Sequence, residues 1–283
     1  MRQDGFEQIA DWSDAYENRA HVPGFDRFID RWAEAGAKAR ETAGPAGSES
    51  GRGILDIAYG TDPRQQLDLY MPSTEPSGLA VFVHGGYWRS FGRESFGHLA
   101  AGARAAGYAV AVPSYRLAPT VGVPQITADV AAAVTLAADR IAGPLYLAGH
   151  SAGGHLVTRL GEEAGPLPAA VAGRIAHILS ISGLHDLRPL LATDKNDDLR
   201  LDEQTAAAES PALRAPRPGL RYTAWVGGDE RPEFVRQSAL IANIWLGLGA
   251  STRLMVQPGL NHFDVIEPLE HPDSPLTRAF LGA

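Results

Sequence analysis

The residues best suited to chemistry stand at one turn, Gly149-His150-Ser151-Ala152-Gly153, which fits the pattern G-x-S-x-G. The apolar run Leu145-Tyr146-Leu147-Ala148 precedes it, and Leu156, Val157 and Leu160 follow at helical spacing. That arrangement describes a sharp strand-to-helix elbow presenting a serine hydroxyl at its tip. A side chain at position 149 or 153 would collide across so tight a turn. A serine hydroxyl is a weak nucleophile until a base takes its proton, and the base needs a carboxylate to hold its tautomer. The expected chemistry is acyl transfer through Ser151. Without partners, the same pentapeptide would be a glycine-rich turn with an incidental serine.

Of the nine histidines, His262 is the expected base. The order that accompanies this elbow is serine, acid, histidine. His262 follows the strand-like Thr252–Val256 within Pro258-Gly259-Leu260-Asn261-His262-Phe263. His271, in His271-Pro272-Asp273, reads as a helix start, and His177 and His185 belong to a strand entry and an insertion. For the acid, Asp229 and Glu230 compete in Gly227-Gly228-Asp229-Glu230, with Asp186 third; spacing alone does not choose among them. The developing oxyanion needs backbone donors placed in advance, each contributing about 3–4 kcal/mol. Ala152 supplies one amide directly after the serine. Gly85 and Gly86, in His84-Gly85-Gly86-Tyr87-Trp88, are the expected source of the others.

The elements that must position these groups alternate. Ile54–Tyr59 and Gln66–Tyr70 read as an antiparallel edge pair. Strands are expected at 79–83, 108–112, 145–148, 175–181, 221–226 and 252–256, with helices at 93–106, 126–141, 152–162 and 232–246 and another at the C-terminus. This is an α/β pattern: a mostly parallel, doubly wound sheet whose ligands sit beyond the strands' carboxyl ends. Residues 185–219, rich in charge and proline with a short helix near 202–208, read as a small cap insertion. Residues 1–50 read as an N-terminal arm on the core of 51–283. In that arm Phe25, Phe28, Ile29 and Trp32 recur at helical spacing, and Glu41–Gly53 reads as a loop.

The remaining motifs carry a family resemblance. The chain resembles kynurenine formamidases (arylformamidases), α/β-hydrolases of the esterase/lipase superfamily. It does so at His84-Gly85-Gly86-Tyr87-Trp88, at Gly149–Leu156, at Glu233-Phe234-Val235-Arg236-Gln237-Ser238 and at Asn261-His262-Phe263. Asp11-Trp12-Ser13-Asp14-Ala15-Tyr16-Glu17-Asn18 is similar to the family's N-terminal segment. The resemblance implies an α/β-hydrolase fold and a serine hydrolase forming an acyl-enzyme. It implies Glu230 as the acid, with Asp229 second; family members more often carry aspartate there, so Glu230 is a departure. It supports Gly85, Gly86 and Ala152 as oxyanion donors. Aryl formamides are the implied substrates, with small esters or thioesters the alternative and a hydrolase-fold binding protein the non-enzymatic one. An aryl substrate needs an apolar wall, for which Tyr87, Trp88, Tyr115 and Phe263 are candidates. Arg89, Arg116 and Arg188 are candidates for a substrate carboxylate.

Composition narrows the partners of the 283-residue chain. It is 45% hydrophobic and 20% charged, as globular chains are. A net charge of −8 argues against a sequence-independent hold on nucleic acid. With no cysteine, disulfides, a thiol nucleophile and cysteine-ligated metals are excluded. The motifs require no metal or cofactor, only a small-molecule acyl substrate. No apolar run approaches a membrane span, and the charged first residues do not read as a signal peptide, so a cytoplasmic protein is expected. Nothing in the sequence indicates an oligomeric state.

Overall fold

The computed structural model describes residues 8–44 and 53–283. The expected loop at 41–53 falls largely outside these, as do the first seven residues; Glu41 to Ala43 belong to a helix.

Eight strands form one sheet: β1 (Gly53–Ala58), β2 (Gln66–Tyr70), β3 (Leu79–Val83), β4 (Ala109–Pro113), β5 (Leu145–His150), β6 (Ile175–Ile181), β7 (Arg221–Gly227) and β8 (Ser251–Gln257). Their spatial order is β1-β2-β4-β3-β5-β6-β7-β8. β1 and β2 pair antiparallel, β2 pairs antiparallel with β4, and every pairing from β4 to β8 is parallel. This is the α/β, doubly wound architecture expected from the alternation. β3 and β4 are buried at every residue because helices cover both faces. β8 is an outer strand, with Leu254 and Val256 exposed.

The strand order reverses between β3 and β5, and at such a switch point the loops leaving two neighbouring strands diverge to leave a crevice. The Gly85-Gly86 loop leaves β3 and the serine elbow leaves β5, so both motifs arrive at that crevice. β5 leads to Ser151, and the Ala152–Leu160 helix, buried along its whole length, leads away from it.

Expected helix boundaries shift where glycine and proline act. The 126–141 helix begins earlier, at Val123, with Pro124 in its first turn, where a missing N–H costs nothing. The segment at 93–106 is not one helix. It forms 3₁₀ turns at Arg93–Ser95 and Gly97–Ala100, then a helix at Ala101–Ala105. Two of its glycines are closely packed: a Cβ on Gly97 would lie 2.1 Å from the Tyr70 hydroxyl, and one on Gly102 2.3 Å from the Leu269 carbonyl oxygen.

Residues 185–219 form short helical turns over the carboxyl edge, including Asn196–Leu199 and Glu203–Ala208, held by buried Leu187, Leu190, Leu199 and Ala206. The Asp26–Ala43 helix packs Phe28 and Trp32 inward, and Arg40 at its end pairs with Asp56 and Asp68 on β1 and β2.

Candidate active site

Ser151 adopts φ 54° and ψ −117°, a backbone conformation a non-glycine residue holds only when its surroundings enforce it. The enforcement is steric. A Cβ on Gly149 would stand 2.1 Å from the Gly153 carbonyl oxygen, and one on Gly153 would stand 2.0 Å from that of Val83. The elbow is therefore pressed against the end of β3. Gly85 also lacks room for a side chain, since its Cβ would lie 2.9 Å from the Ser151 Cβ. Ala152 opens the following helix, so its amide is among those without an intrahelical acceptor.

His262 follows β8, and its ring is buried between Phe234 (centroids 4.5 Å apart) and His150 (4.7 Å). Its Nδ1–H donates to Glu230 Oε2 at 2.6 Å. Glu230 Oε1 accepts from Ser182 Oγ at 2.5 Å and from the Gly227 amide at 2.8 Å. Three donors thus satisfy a carboxylate that is otherwise costly to bury. With Nδ1 engaged, Nε2 is the His262 nitrogen left for proton exchange.

Of the carboxylates that spacing left open, Glu230 is the one bonded to His262. Asp229 is exposed, and its amide donates to the Leu260 carbonyl. Asp186 binds its own near neighbour, Arg188. Ser182 had no marker in the sequence: it lies directly after β6, with φ 53°, and only the pairing of β6 with β7 brings it beneath Glu230.

His150 supports the same loop. Burial pushes its pKa well below the ordinary histidine value, so the ring is neutral, and its Nε2–H donates to the His262 carbonyl oxygen at 2.9 Å. The variable position of the elbow motif thus tethers the loop that carries the base.

Ser151, His262, Gly85, Gly86 and Tyr87 line one cavity of about 90 Å³, with Phe263 and Trp32 in its apolar wall. Trp88 and Tyr115 do not line it. Both are wholly buried. Trp88 packs edge-on to His155 at 5.1 Å, and Tyr115 stacks on His84 at 4.3 Å while its hydroxyl donates to the His84 carbonyl at 2.9 Å. They brace the glycine loop from behind. The positive φ angles of Gly86, Tyr87 and Trp88 turn successive side chains in ways that simple alternation does not anticipate. Trp32 is the reverse case: its helical spacing marked it as packing, yet it reaches the cavity. Of the arginines expected to meet a carboxylate, Arg116 is paired with Asp129 and Arg188 with Asp186. Arg89 does line the cavity, and pairs with Asp198.

The arrangement provides what acyl transfer requires: a hydroxyl on a strained elbow, an imidazole oriented by a buried carboxylate, and backbone amides beside them. Residues 80–243 match a family model described as the alpha/beta hydrolase fold, and the chain belongs to that family as a hydrolase-fold enzyme. Within it, the chain is related to kynurenine-formamidase-like and esterase or thioesterase proteins. It is 30% identical to the kynurenine formamidase of Salmo salar over 262 residues, covering 86% of this chain and 87% of the relative. It is 28% identical to that of Danio rerio, with the same shares covered. Among solved structures, a candidate thioesterase from Silicibacter sp. superposes with a TM-score of 0.89 at 42% identity, over 96% of this chain and 98% of the other.

Proposed function

We propose that the protein hydrolyses small acyl substrates through an acyl-enzyme on Ser151. The observation that carries this reading is the convergence of Ser151 and the Glu230-oriented His262 on one cavity with Gly85 and Gly86. His262 Nε2 takes the hydroxyl proton as Oγ attacks the acyl carbon. The carbonyl oxygen becomes an oxyanion facing the amides of Gly85, Gly86 and Ala152. Collapse breaks the bond to the leaving group, which receives the proton from His262. Water then repeats the sequence, releasing the acid and restoring the serine.

Two substrate readings follow from different relatives. Aryl formamides, with N-formylkynurenine as the test substrate, are supported by the kynurenine formamidases. Short acyl esters or thioesters are supported by the candidate thioesterase, whose similarity is the stronger in identity and coverage. The modest cavity suits a small acyl group under either. Specificity constants on N-formylkynurenine, p-nitrophenyl acetate and a short acyl thioester decide between them. A formamide constant no better than the ester constant removes the formamidase reading. Absence of turnover on all three, with intact fold, removes the acyl-enzyme.

A further inference from the structure

Two motifs remain unused by this chemistry, the N-terminal Asp11–Asn18 and the helical Glu233–Ser238, and the structure joins them. The Tyr16 hydroxyl donates to Glu233 Oε1 at 2.7 Å and accepts from Gln237 Nε2 at 2.9 Å. Gln237 in turn donates to the Asp186 carbonyl and accepts from the amides of His185 and Asp186, which ties in the start of the cap. The Tyr87 hydroxyl donates to the Tyr16 carbonyl oxygen. The N-terminal segment is thereby fixed from two sides.

What this fixing delivers is Glu17, Asn18 and Arg19, all of which line the cavity with Ser151 and His262. Asn18 is only 5% exposed, and its Nδ2 is buried without a hydrogen-bond partner among the described residues. It also lines the adjoining hollow shared by Glu230 and His262. An amide donor left unpaired beside a reaction centre is costly unless something else supplies the acceptor.

The charges around it are unevenly paired. Arg19, Arg89 and Lys195 line the cavity against one carboxylate, Glu17. Lys195 is almost fully buried, with Nζ 3.5 Å from Glu17 Oε2, 3.3 Å from Asp194 Oδ1 and 5.2 Å from the centre of the Tyr87 ring. Arg89 has Asp198. The Arg19 guanidinium has no carboxylate partner among the described residues and lies over the Phe25 ring. Of the three cations, Arg19 is thus the one left open to an anionic ligand.

We propose that Asn18 and Arg19 form a subsite for a substrate carboxylate lying outside the scissile bond, and that the N-terminal segment is thus a specificity element. The proposal rests on the acyl-hydrolase reading and is independent of whether the acyl group is carried as formamide, ester or thioester. Asn18 donates to one carboxylate oxygen, and Arg19 neutralises the charge.

The test compares matched ester pairs. One carries the charge on the leaving group, 4-acetoxybenzoate against its methyl ester. The other carries it on the acyl group, phenyl hemisuccinate against phenyl methyl succinate. In wild type, one pair favours the anion beyond its solution reactivity, and the preference shrinks as salt rises from 0.02 to 0.5 M. Arg19→Gln, at an exposed position, lowers the anion-to-neutral ratio of kcat/KM about tenfold, mainly through KM. Arg19→Glu lowers it further, and Arg19→Lys retains most of it. The isosteric Asn18→Asp lowers the ratio at least as much as Arg19→Gln. The same ratio in wild type, Arg19→Gln and Arg19→Glu for both pairs overturns the subsite. If these ratios shift while N-formylkynurenine is not hydrolysed, the formamide reading falls and the subsite stands. If N-formylkynurenine is hydrolysed and no ratio shifts, the subsite falls alone.

Discussion

The two sides of the cavity are built by different means. The floor comes from two short motifs at the ends of adjacent parallel strands, and glycines without room for a Cβ hold it. The roof comes from Tyr16 to Arg19 and from Lys195 in the cap, far apart in the chain, and side-chain hydrogen bonds and ion pairs hold it. The floor is sterically determined and its geometry is an all-or-none matter. The roof is an assembly of interactions each contributing about 1 kcal/mol, so it can be altered piecemeal. Generic acyl chemistry belongs to the first side, and discrimination among substrates to the second.

The comparison can be broken hardest at the floor. Ser151→Ala removes the nucleophile and lowers kcat by at least about 10⁴-fold, while circular dichroism stays that of the wild type. Glu230→Gln costs about 10³–10⁴-fold by losing the carboxylate that orients His262, whereas Asp229→Asn stays within about twofold; the reverse pattern would transfer the acid's role to Asp229. Gly153→Ala, whose methyl would overlap the Val83 carbonyl, lowers the free energy of unfolding by about 3 kcal/mol or more, measured by denaturant unfolding.

Smaller effects sharpen the contrast. Burial depresses His84 to about 3 and His155 to about 4, both below the ordinary histidine value, so the unfolded chain binds more protons than the folded one in that interval. Their contribution to stability is complete above about pH 6.5 and is lost as pH falls towards 3–4. A urea midpoint that falls between pH 7 and 5, faster in wild type than in His155→Gln, is the expected result. Smallest is Tyr16→Phe, which removes the hydroxyl between Glu233 and Gln237. It costs about 1–2 kcal/mol of stability and changes KM more than kcat, because only the roof is loosened.

How much of this was legible in the sequence follows the same division. The alternation of buried runs with helical stretches marked the doubly wound sheet, because a strand covered on both faces must be apolar throughout. The elbow, the glycine pair and His262 were legible too, since their constraints are local: a turn too tight for side chains, and a loop following a particular strand. The choice of Glu230 over Asp229 was left to the family resemblance, because adjacent residues differ only in the direction the fold points them. Trp88 and Tyr115 looked like substrate wall and support the glycine loop from behind, for the same reason.

What the sequence determined by itself is therefore the order of elements and the steric necessities within each, which depend on neighbours a few residues away. The tertiary structure decided which side chains meet across long separations: Ser182 beneath Glu230, Trp32 in the cavity wall, Asn18 beside His262. Those meetings depend on strand order and on the docking of Tyr16, both products of the whole fold's packing energy, and no short stretch of residues encodes either.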